Sequence, residues 1–498
     1  MNSDIKQFYS NAHVLITGGT GLFGKVLVQK LLRSCSDISY LYLIIRSKKG
    51  KSGNDRKSDL FTDIIFDKMK ETVPNYLDKI IVLEGDTSKV NLGLSSFDQH
   101  LIKEKVNIVF HCAASMSMDA KLKDAIGTNV RGLYELINLC QEINKLKSFL
   151  FVSTAYSCCI HHVVDEKFYE PPIEAKTLMK FTEGLSENIL ENIKASLIGE
   201  WPNPYCFSKA MAENIFQKEG KNLPIGVFRP SIVMPIYEDP YPGWTSNVYG
   251  PIGVMLASGL GIIRIFLCNS NLQCDMVPVD YCINSLICTA WDTYNQRIND
   301  KEMGMKTEIP IYNYSSGPDR HITWGDHITY SLQYKYPFKK ALWATMLLQI
   351  KNKYLYYFLW ILLHTIPALA MDSYLTLRGK KTRMIRTYKK IYKFSKVLSY
   401  FSTREWKIMN KNVKKLWYKL NKNDQTLFPF DMDTVDHKKL VSDACTGMKI
   451  YILKEDLNNV EEEIKHYKRL VFLHNSVKYG FQIAILVVLF RIIFMLCN

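Results

Sequence analysis

No Cys-x-x-Cys pair occurs among the twelve cysteines, and no cluster of cysteine and histidine has the spacing of a zinc site. No metal centre is therefore expected. The cysteines are scattered, and Cys158 and Cys159 are adjacent, which disfavours a disulfide between them. That is the usage of a reducing compartment, in which thiols act as small buried residues. No apolar leader precedes the first strand-like run: MNSDIKQFYSNAHVLITGG carries no secretory hydrophobic segment. The portion that follows is accordingly expected to face the cytosol, where the sequon Asn313-Tyr314-Ser315 would stay unmodified. Acidic residues are scarce in one region. Between Thr376 and Leu420 fifteen Lys or Arg stand against one acid, Glu405, so about 14 of the 16 net positive charges sit there. The remainder is nearly neutral, which argues against a nucleic-acid-binding role for the whole chain.

What is present is enough for a folded, multidomain protein. The chain has 498 residues, 47% hydrophobic and 22% charged, and that length suits two or three domains. The apolar run His13–Thr17 reads as a buried strand. Gly18-Gly19-Thr20-Gly21-Leu22-Phe23-Gly24 follows, then KVLVQKLLR with helical periodicity. Strand, glycine turn and helix in that order make a dinucleotide site. Gly18 allows the tight turn, Gly21 the approach of a pyrophosphate, and Gly24 close helix packing. The helix N-terminus supplies free N–H groups and a favourable dipole.

The second strand, Tyr40–Ile45, lacks the acid that usually binds the ribose 2′-hydroxyl of NAD. It ends instead in Arg46-Ser47-Lys48-Lys49. A guanidinium there suits a 2′-phosphate, which points to NADPH. Ile80–Leu83 reads as the third strand, with Asp86 beyond it as an adenine contact. Val106–Phe110 reads as the fourth, and Cys112-Ala113-Ala114 let the backbone pass close to the cofactor. His111 is read as a buried, satisfied histidine.

Ser148–Val152 is a further buried strand and ends in Ser153-Thr154. Some fifty residues on, Asn203-Pro204-Tyr205-Cys206-Phe207-Ser208-Lys209 places Tyr205 and Lys209 four residues apart. On a helix the two side chains share a face. A hydride added to a carbonyl carbon leaves an alkoxide that must be protonated. A phenol with a reference pKa of about 10 is a poor donor-acceptor at neutral pH. A neighbouring ammonium eases its proton transfer. The same lysine can hold a nicotinamide ribose, and a hydroxyl at the strand end can polarise the carbonyl.

These segments, in order, resemble one family. TGGTGLFGKVLVQKLLR, LIIRSKKG, LEGDTSKVNLGL, VFHCAAS, TNVRGL, FVSTAYS, WPNPYCFSKAMAE, FRPSIV and DMVPVDYCIN are similar to segments of animal, especially insect, fatty acyl-CoA reductases. So are YFSTREWKIMNKNVKKLWYKLN, FPFDMDTVDHKKL and GMKIYILKE, so the resemblance runs from about residue 10 to 455. Pro204 and Cys206 beside the tyrosine, and His437 in place of an aromatic, depart from the family pattern without removing a reactive group.

The resemblance implies an extended short-chain dehydrogenase fold. It also implies reduction of a long-chain acyl-CoA to a fatty alcohol with two NADPH, through a hemithioacetal that loses CoA and then an aldehyde. Of the two hydroxyls, it implies Thr154 as the acting one, with Ser153 beside it. It extends the cofactor set to Thr17, Thr20, Leu22, Phe23, Lys48, Thr87, Asn129, Arg229, Pro230, Ser231 and Val233, together with Tyr205 and Lys209. Gly243, Trp244 and Asn247 would lie over the substrate.

The chain ends in the apolar run Phe481–Cys497, interrupted by Arg491, and just long enough to cross a bilayer. Tyr354–Leu377 is a second apolar stretch, broken by His364, Pro367 and Asp372. It is expected to form an interfacial or re-entrant hairpin, with spanning or lining an acyl tunnel as the alternatives. The basic, aromatic-rich segment that follows fits an anionic membrane surface, with a solvated face of the C-terminal domain or a cradle for the CoA phosphates as the alternatives.

The expected architecture is a doubly wound parallel α/β sheet of the Rossmann type with substrate-binding elements over 1–345, a mostly helical domain over 346–455, and an anchor over 478–498. The expected partners are a long-chain acyl-CoA and a membrane, endoplasmic reticulum or peroxisome. No nucleic acid is expected, and self-association is left open. The competing readings are a related reductase that stops at the aldehyde or takes a sterol or sugar, and a non-catalytic lipid-binding protein.

Overall fold

A computed structural model describes residues 3–48, 50–306, 308–318, 320, 322–458 and 460–497. The chain divides into two compact units that do not follow chain order. The first comprises Met1–Pro242, Gln273–His321 and Glu405–Asp436; the second comprises Gly243–Leu272, Ile322–Arg404 and His437–Asn498.

The first unit is built on a sheet of seven strands: β1 (His13–Thr17), β2 (Tyr40–Ile45), β3 (Ile80–Glu84), β4 (Ile108–His111), β5 (Ser148–Val152), β6 (Ile225–Pro230) and β7 (Ile311–Tyr314). Their order is β7-β6-β5-β4-β1-β2-β3, with every pairing parallel. A parallel sheet is covered on both faces, so its strands read as unbroken apolar runs. β5 and β6 are buried at every position. The doubly wound fold expected from the sequence is thus present. β3 extends to Glu84, and β4 begins at Ile108 and ends on His111, later than expected, because the hydrogen-bond register follows β1: Val14 pairs with Ile108 and Thr17 with His111.

The strand order reverses between β1 and β4. At such a switch point two chains leave the sheet in opposite directions and open a crevice at the carboxyl ends of the strands. α1 (Leu22–Ser34) leaves from the β1 side and α2 (Pro204–Glu219) packs by the β5 end. Pro204 opens α2 at a position where a missing N–H costs nothing, and Asn203 caps it by accepting from the Cys206 N–H at 2.9 Å.

A late segment returns to this unit. Lys407–Ile408 pairs with Val163–Val164. Asn313 in β7 is fully buried and donates to the carbonyls of Val164 and Met409, which leaves the sequon inside the core.

The second unit is mostly helical. Its short strand Ile265–Leu267 pairs with Leu348–Ile350. Lys353–Leu377 forms one helical run with a π-type turn at Ile361–Thr365, and Met384–Ser402 follows. The C-terminal apolar run is the distal part of a single helix, Val460–Cys497. Its proximal part is fixed within the unit: Lys449, fully buried, pairs with Glu463, and the Tyr467 hydroxyl accepts from the Thr345 N–H at 3.0 Å.

Candidate active site

The glycine turn after β1 is tight enough to exclude side chains. Gly18 has φ +76°, and a Cβ there would lie 2.7 Å from the Ala113 nitrogen; one at Gly24 would lie 2.3 Å from the Gly18 carbonyl oxygen. α1 starts from Gly21 with no side-chain cap and no acid in its first turn, so its leading N–H groups remain available to an anion. Leu22 and Phe23 open that helix. This cradle fits a dinucleotide pyrophosphate.

The neighbouring predicted residues divide by what holds them. The Thr17 hydroxyl lies 2.8 Å from His111 Nδ1 and accepts from the Ala113 N–H at 3.3 Å. It thereby braces the β1 and β4 ends together, and Cys112-Ala113-Ala114 run past Gly18. His111 is fully buried, and burial, reinforced by the Lys209 charge, pushes its pKa down to about 3, so it is neutral. Asn129 lies in a π-type turn, Gly127–Arg131, and is also engaged. It donates to the Ser115 carbonyl and the Ser208 hydroxyl and accepts from the Ser115 N–H, which pins the loop after β4 to α2.

At the β2 end the Arg46 side chain is about half exposed, 4.0 Å from the Asp86 carboxylate. Asp86 accepts from the Ser88 N–H and hydroxyl, and Thr87 lies under Gly132 with its carbonyl against that glycine. Lys48 closes a small antiparallel bridge with Lys51. One cation went unnoticed in the sequence: Arg56 donates to the Arg46 carbonyl at 2.6 Å and reaches the Thr20 hydroxyl at 3.4 Å. No local pattern marks it, because only the packing of the helix Gly53–Phe61 delivers it to the glycine turn.

Tyr205, Lys209 and Thr154 come together at the β5 end. Burial holds the Tyr205 phenol's pKa well above its usual value, and the nearby Thr154 hydroxyl offsets part of that rise. Lys209 is 2% exposed; its Nζ donates to the Val152 carbonyl at 2.8 Å and lies 4.6 Å from the centre of the Phe151 ring. Burial lowers its pKa to about 8. Thr154 reaches the Pro230 carbonyl at 3.4 Å and accepts from the Tyr156 N–H.

Ser153 points elsewhere. Its hydroxyl donates to Glu213, which also accepts from Ser157 and pairs with Arg229. Glu213 and Arg229 are both buried, and Arg229 further donates to the carbonyls of Asp165 and Lys167. The guanidinium of Arg229 is thus fully committed to the core. Glu213 was legible as the next step on the same helix face, four residues after Lys209. Ser231 donates to Asp275 at 2.6 Å, and Val233 sits in the short strand Ile232–Met234 beside Met276–Pro278.

Gly243, Trp244 and Asn247 belong to the second unit. A Cβ on Gly243 would collide with the Asp443 carbonyl, Trp244 is 2% exposed, and Asn247 caps the turn to Tyr249.

Comparison with known proteins gives a consistent result. A dinucleotide-binding family model described as male sterility protein matches residues 16–286, and a second model of the same description matches 363–455. Fatty acyl-CoA reductase wat of Drosophila melanogaster is 40% identical over 474 residues, covering 95% of this chain and 90% of its own. Human fatty acyl-CoA reductase 1 is 32% identical over 491 residues, covering 98% of this chain and 93% of its own. Among solved structures, the reductase domain of a Mycobacterium tuberculosis nonribosomal peptide synthetase superposes with TM-score 0.58 at 17% identity, covering 91% of this chain and 96% of that one. The terminal reductase domain of the myxalamid pathway gives 0.55 at 17% identity, covering 90% and 95%. At those identities the structures show the fold alone.

Proposed function

The chain belongs to the fatty acyl-CoA reductases and is an oxidoreductase with a nicotinamide-dinucleotide site, and on that premise we propose that it reduces a long-chain acyl-CoA to the alcohol with NADPH, Tyr205 donating the proton. The observation that carries this reading is Lys209, on the helix face it shares with Tyr205, donating its ammonium to the Val152 carbonyl two residues before Thr154.

The bound cofactor supplies the hydride. Thr154 and Tyr205 donate to the substrate carbonyl oxygen, so negative charge developing there is met by fixed donors. Tyr205 then passes its proton to that oxygen. Its raised pKa keeps the phenol loaded at neutral pH, and an ammonium such as that of Lys209, on the same helix face, would ease the proton's departure. Lys209 would also hold the nicotinamide ribose. After the first addition the hemithioacetal returns its hydroxyl proton to the Tyr205 phenolate and expels CoA thiolate, which yields the aldehyde; a second hydride, with the proton again from Tyr205, gives the alcohol. Arg46, and with it Arg56, supplies positive charge for the 2′-phosphate.

The helix Val460–Cys497 anchors the protein. It is long and apolar enough to cross a bilayer and is unburied over its apolar window. The first unit then faces the cytosol.

Full-length protein in detergent, given NADPH and a long-chain acyl-CoA, is expected to release one free thiol and consume two NADPH for each alcohol formed. Accumulation of aldehyde with one NADPH consumed would instead favour a reductase that stops at the aldehyde.

A further inference from the structure

Within the second unit, the helical run Lys353–Leu377 is held by one narrow seam. Tyr356, Trp360, His364 and Ala368, spaced four apart, are its buried residues. Tyr354, Phe358, Ile361, Leu369 and Leu377 are 52% exposed or more. An apolar surface of that extent is not left to water by a soluble domain.

The helix Met384–Ser402 packs beside it. Tyr356 shares a hydrogen bond with Ser395 at 2.9 Å, and Trp360 and Tyr392 lie with ring centres 5.2 Å apart. The turn between the helices is pinned by Asp372, whose carboxylate accepts the N–H groups of Arg383, Met384 and Ile385. Pro367 lacks the N–H that would bond to the Leu363 carbonyl, and Arg264 donates to that carbonyl instead. The break in the helix is therefore satisfied by the unit's own body. The His364 ring is tied there too, accepting from the Arg264 N–H at 3.1 Å.

The second helix decides how such a hairpin can meet a bilayer. Arg386, Lys389, Lys390, Lys393 and Lys396 are all exposed along it, and no acid stands between Ser373 and Arg404. Were Lys353–Leu377 to span, this companion would carry those cations into hydrocarbon, where an unpaired charge is strongly disfavoured. Lying flat, the apolar helix sinks into the acyl boundary and the cations meet headgroups. The same unit holds the root of the C-terminal helix, so it is already brought to the membrane if that helix is an anchor.

We propose that Lys353–Ser402 is an in-plane membrane hairpin whose exposed apolar face enters one leaflet and whose cationic helix selects anionic lipid. The proposal rests on the membrane attachment assigned above and adds a second, non-spanning contact.

The test uses the full chain in vesicles of phosphatidylcholine, with or without phosphatidylserine. A fluorescent amino acid is placed singly at Phe358, Ile366 or Leu369, and at Leu486 in the C-terminal helix. Lipids brominated at shallow or deep acyl positions act as quenchers. Equal, shallow quenching at the three hairpin sites, stronger with phosphatidylserine and reduced by Lys389→Glu with Lys393→Glu only in that lipid, is the expected result. Deep quenching at Ile366 flanked by shallow quenching at Phe358 would mean a span and overturn the proposal. So would no quenching at the three sites, or indifference to phosphatidylserine. The Leu486 probe reports the anchor separately: quenching there without quenching in the hairpin sinks this proposal alone.

Discussion

Lys209 donates its ammonium to the backbone carbonyl of Val152 at 2.8 Å, so the cation is tied to the strand that presents Thr154. Because burial lowers its pKa from 10.5 to about 8, its charge has two effects of opposite sign. Folding disfavours the proton: that destabilisation is complete below about pH 8, fades as pH rises, and is gone above 10.5, the unfolded value. Binding of the anionic cofactor wants the proton and weakens over the same window. NADPH affinity of the free protein, measured by fluorescence titration, is therefore expected to hold steady below about pH 8 and to fall above it by up to about tenfold per pH unit. Lys209→Met should flatten that curve. A pH-independent affinity in the unsubstituted protein would remove Lys209 from the cofactor's partners.

The two hydroxyls that end β5 are expected to differ sharply. Tyr205→Phe keeps the ring and should lower turnover by about 10²–10⁴-fold without losing cofactor binding. Thr154→Val should also slow turnover at unchanged NADPH affinity. Ser153→Ala, whose hydroxyl faces Glu213, should retain most activity and lose a little thermal stability. A crippled Ser153→Ala beside an active Thr154→Val would exchange their roles.

Glu213 binds Arg229, Ser153 and Ser157 in one buried cluster. Glu213→Gln leaves the guanidinium without a counter-charge, and breaking a buried pair in this way costs roughly 3–5 kcal/mol. The variant is expected to unfold at markedly lower denaturant concentration. Ordinary stability in Glu213→Gln would mean that the carbonyls of Asp165 and Lys167 hold Arg229 by themselves.

What could be read before the fold was known is what lies close together along the chain. The glycine turn sits between a strand and a helix, and Tyr205, Lys209 and Glu213 share a helix face, so both follow from local periodicity. β5 was placed to the residue because its apolar run is bounded by Lys147 and Ser153. β4 was placed early because register is set by pairing with β1 and not by its own side chains. The return of Glu405–Asp436 to the first unit carries no local mark, since the pairing of Ile408 with Val164 spans nearly half the chain. Arg56 was hidden for the same reason: its partner groups at Arg46 and Thr20 lie on other elements.

Arg46 and Arg56 are held differently, and that difference sets the final expectation. Arg56 is fastened by the Arg46 carbonyl and the Thr20 hydroxyl, while the Arg46 side chain is about half exposed and only 4.0 Å from Asp86 at its nearest. Arg46 is therefore free to turn and present its fork to a 2′-phosphate, whereas Arg56 contributes charge from a fixed position. Arg46→Asp should narrow or reverse the preference for NADPH over NADH in kcat/KM, because a carboxylate repels the phosphate and accepts from a 2′-hydroxyl. Arg56→Ala should weaken NADPH more than NADH, yet leave NADPH preferred. Should Arg46→Asp keep its selectivity while Arg56→Ala loses it, the phosphate is read by Arg56. Unchanged selectivity in both, and in the double variant, would remove the β2 end from cofactor discrimination.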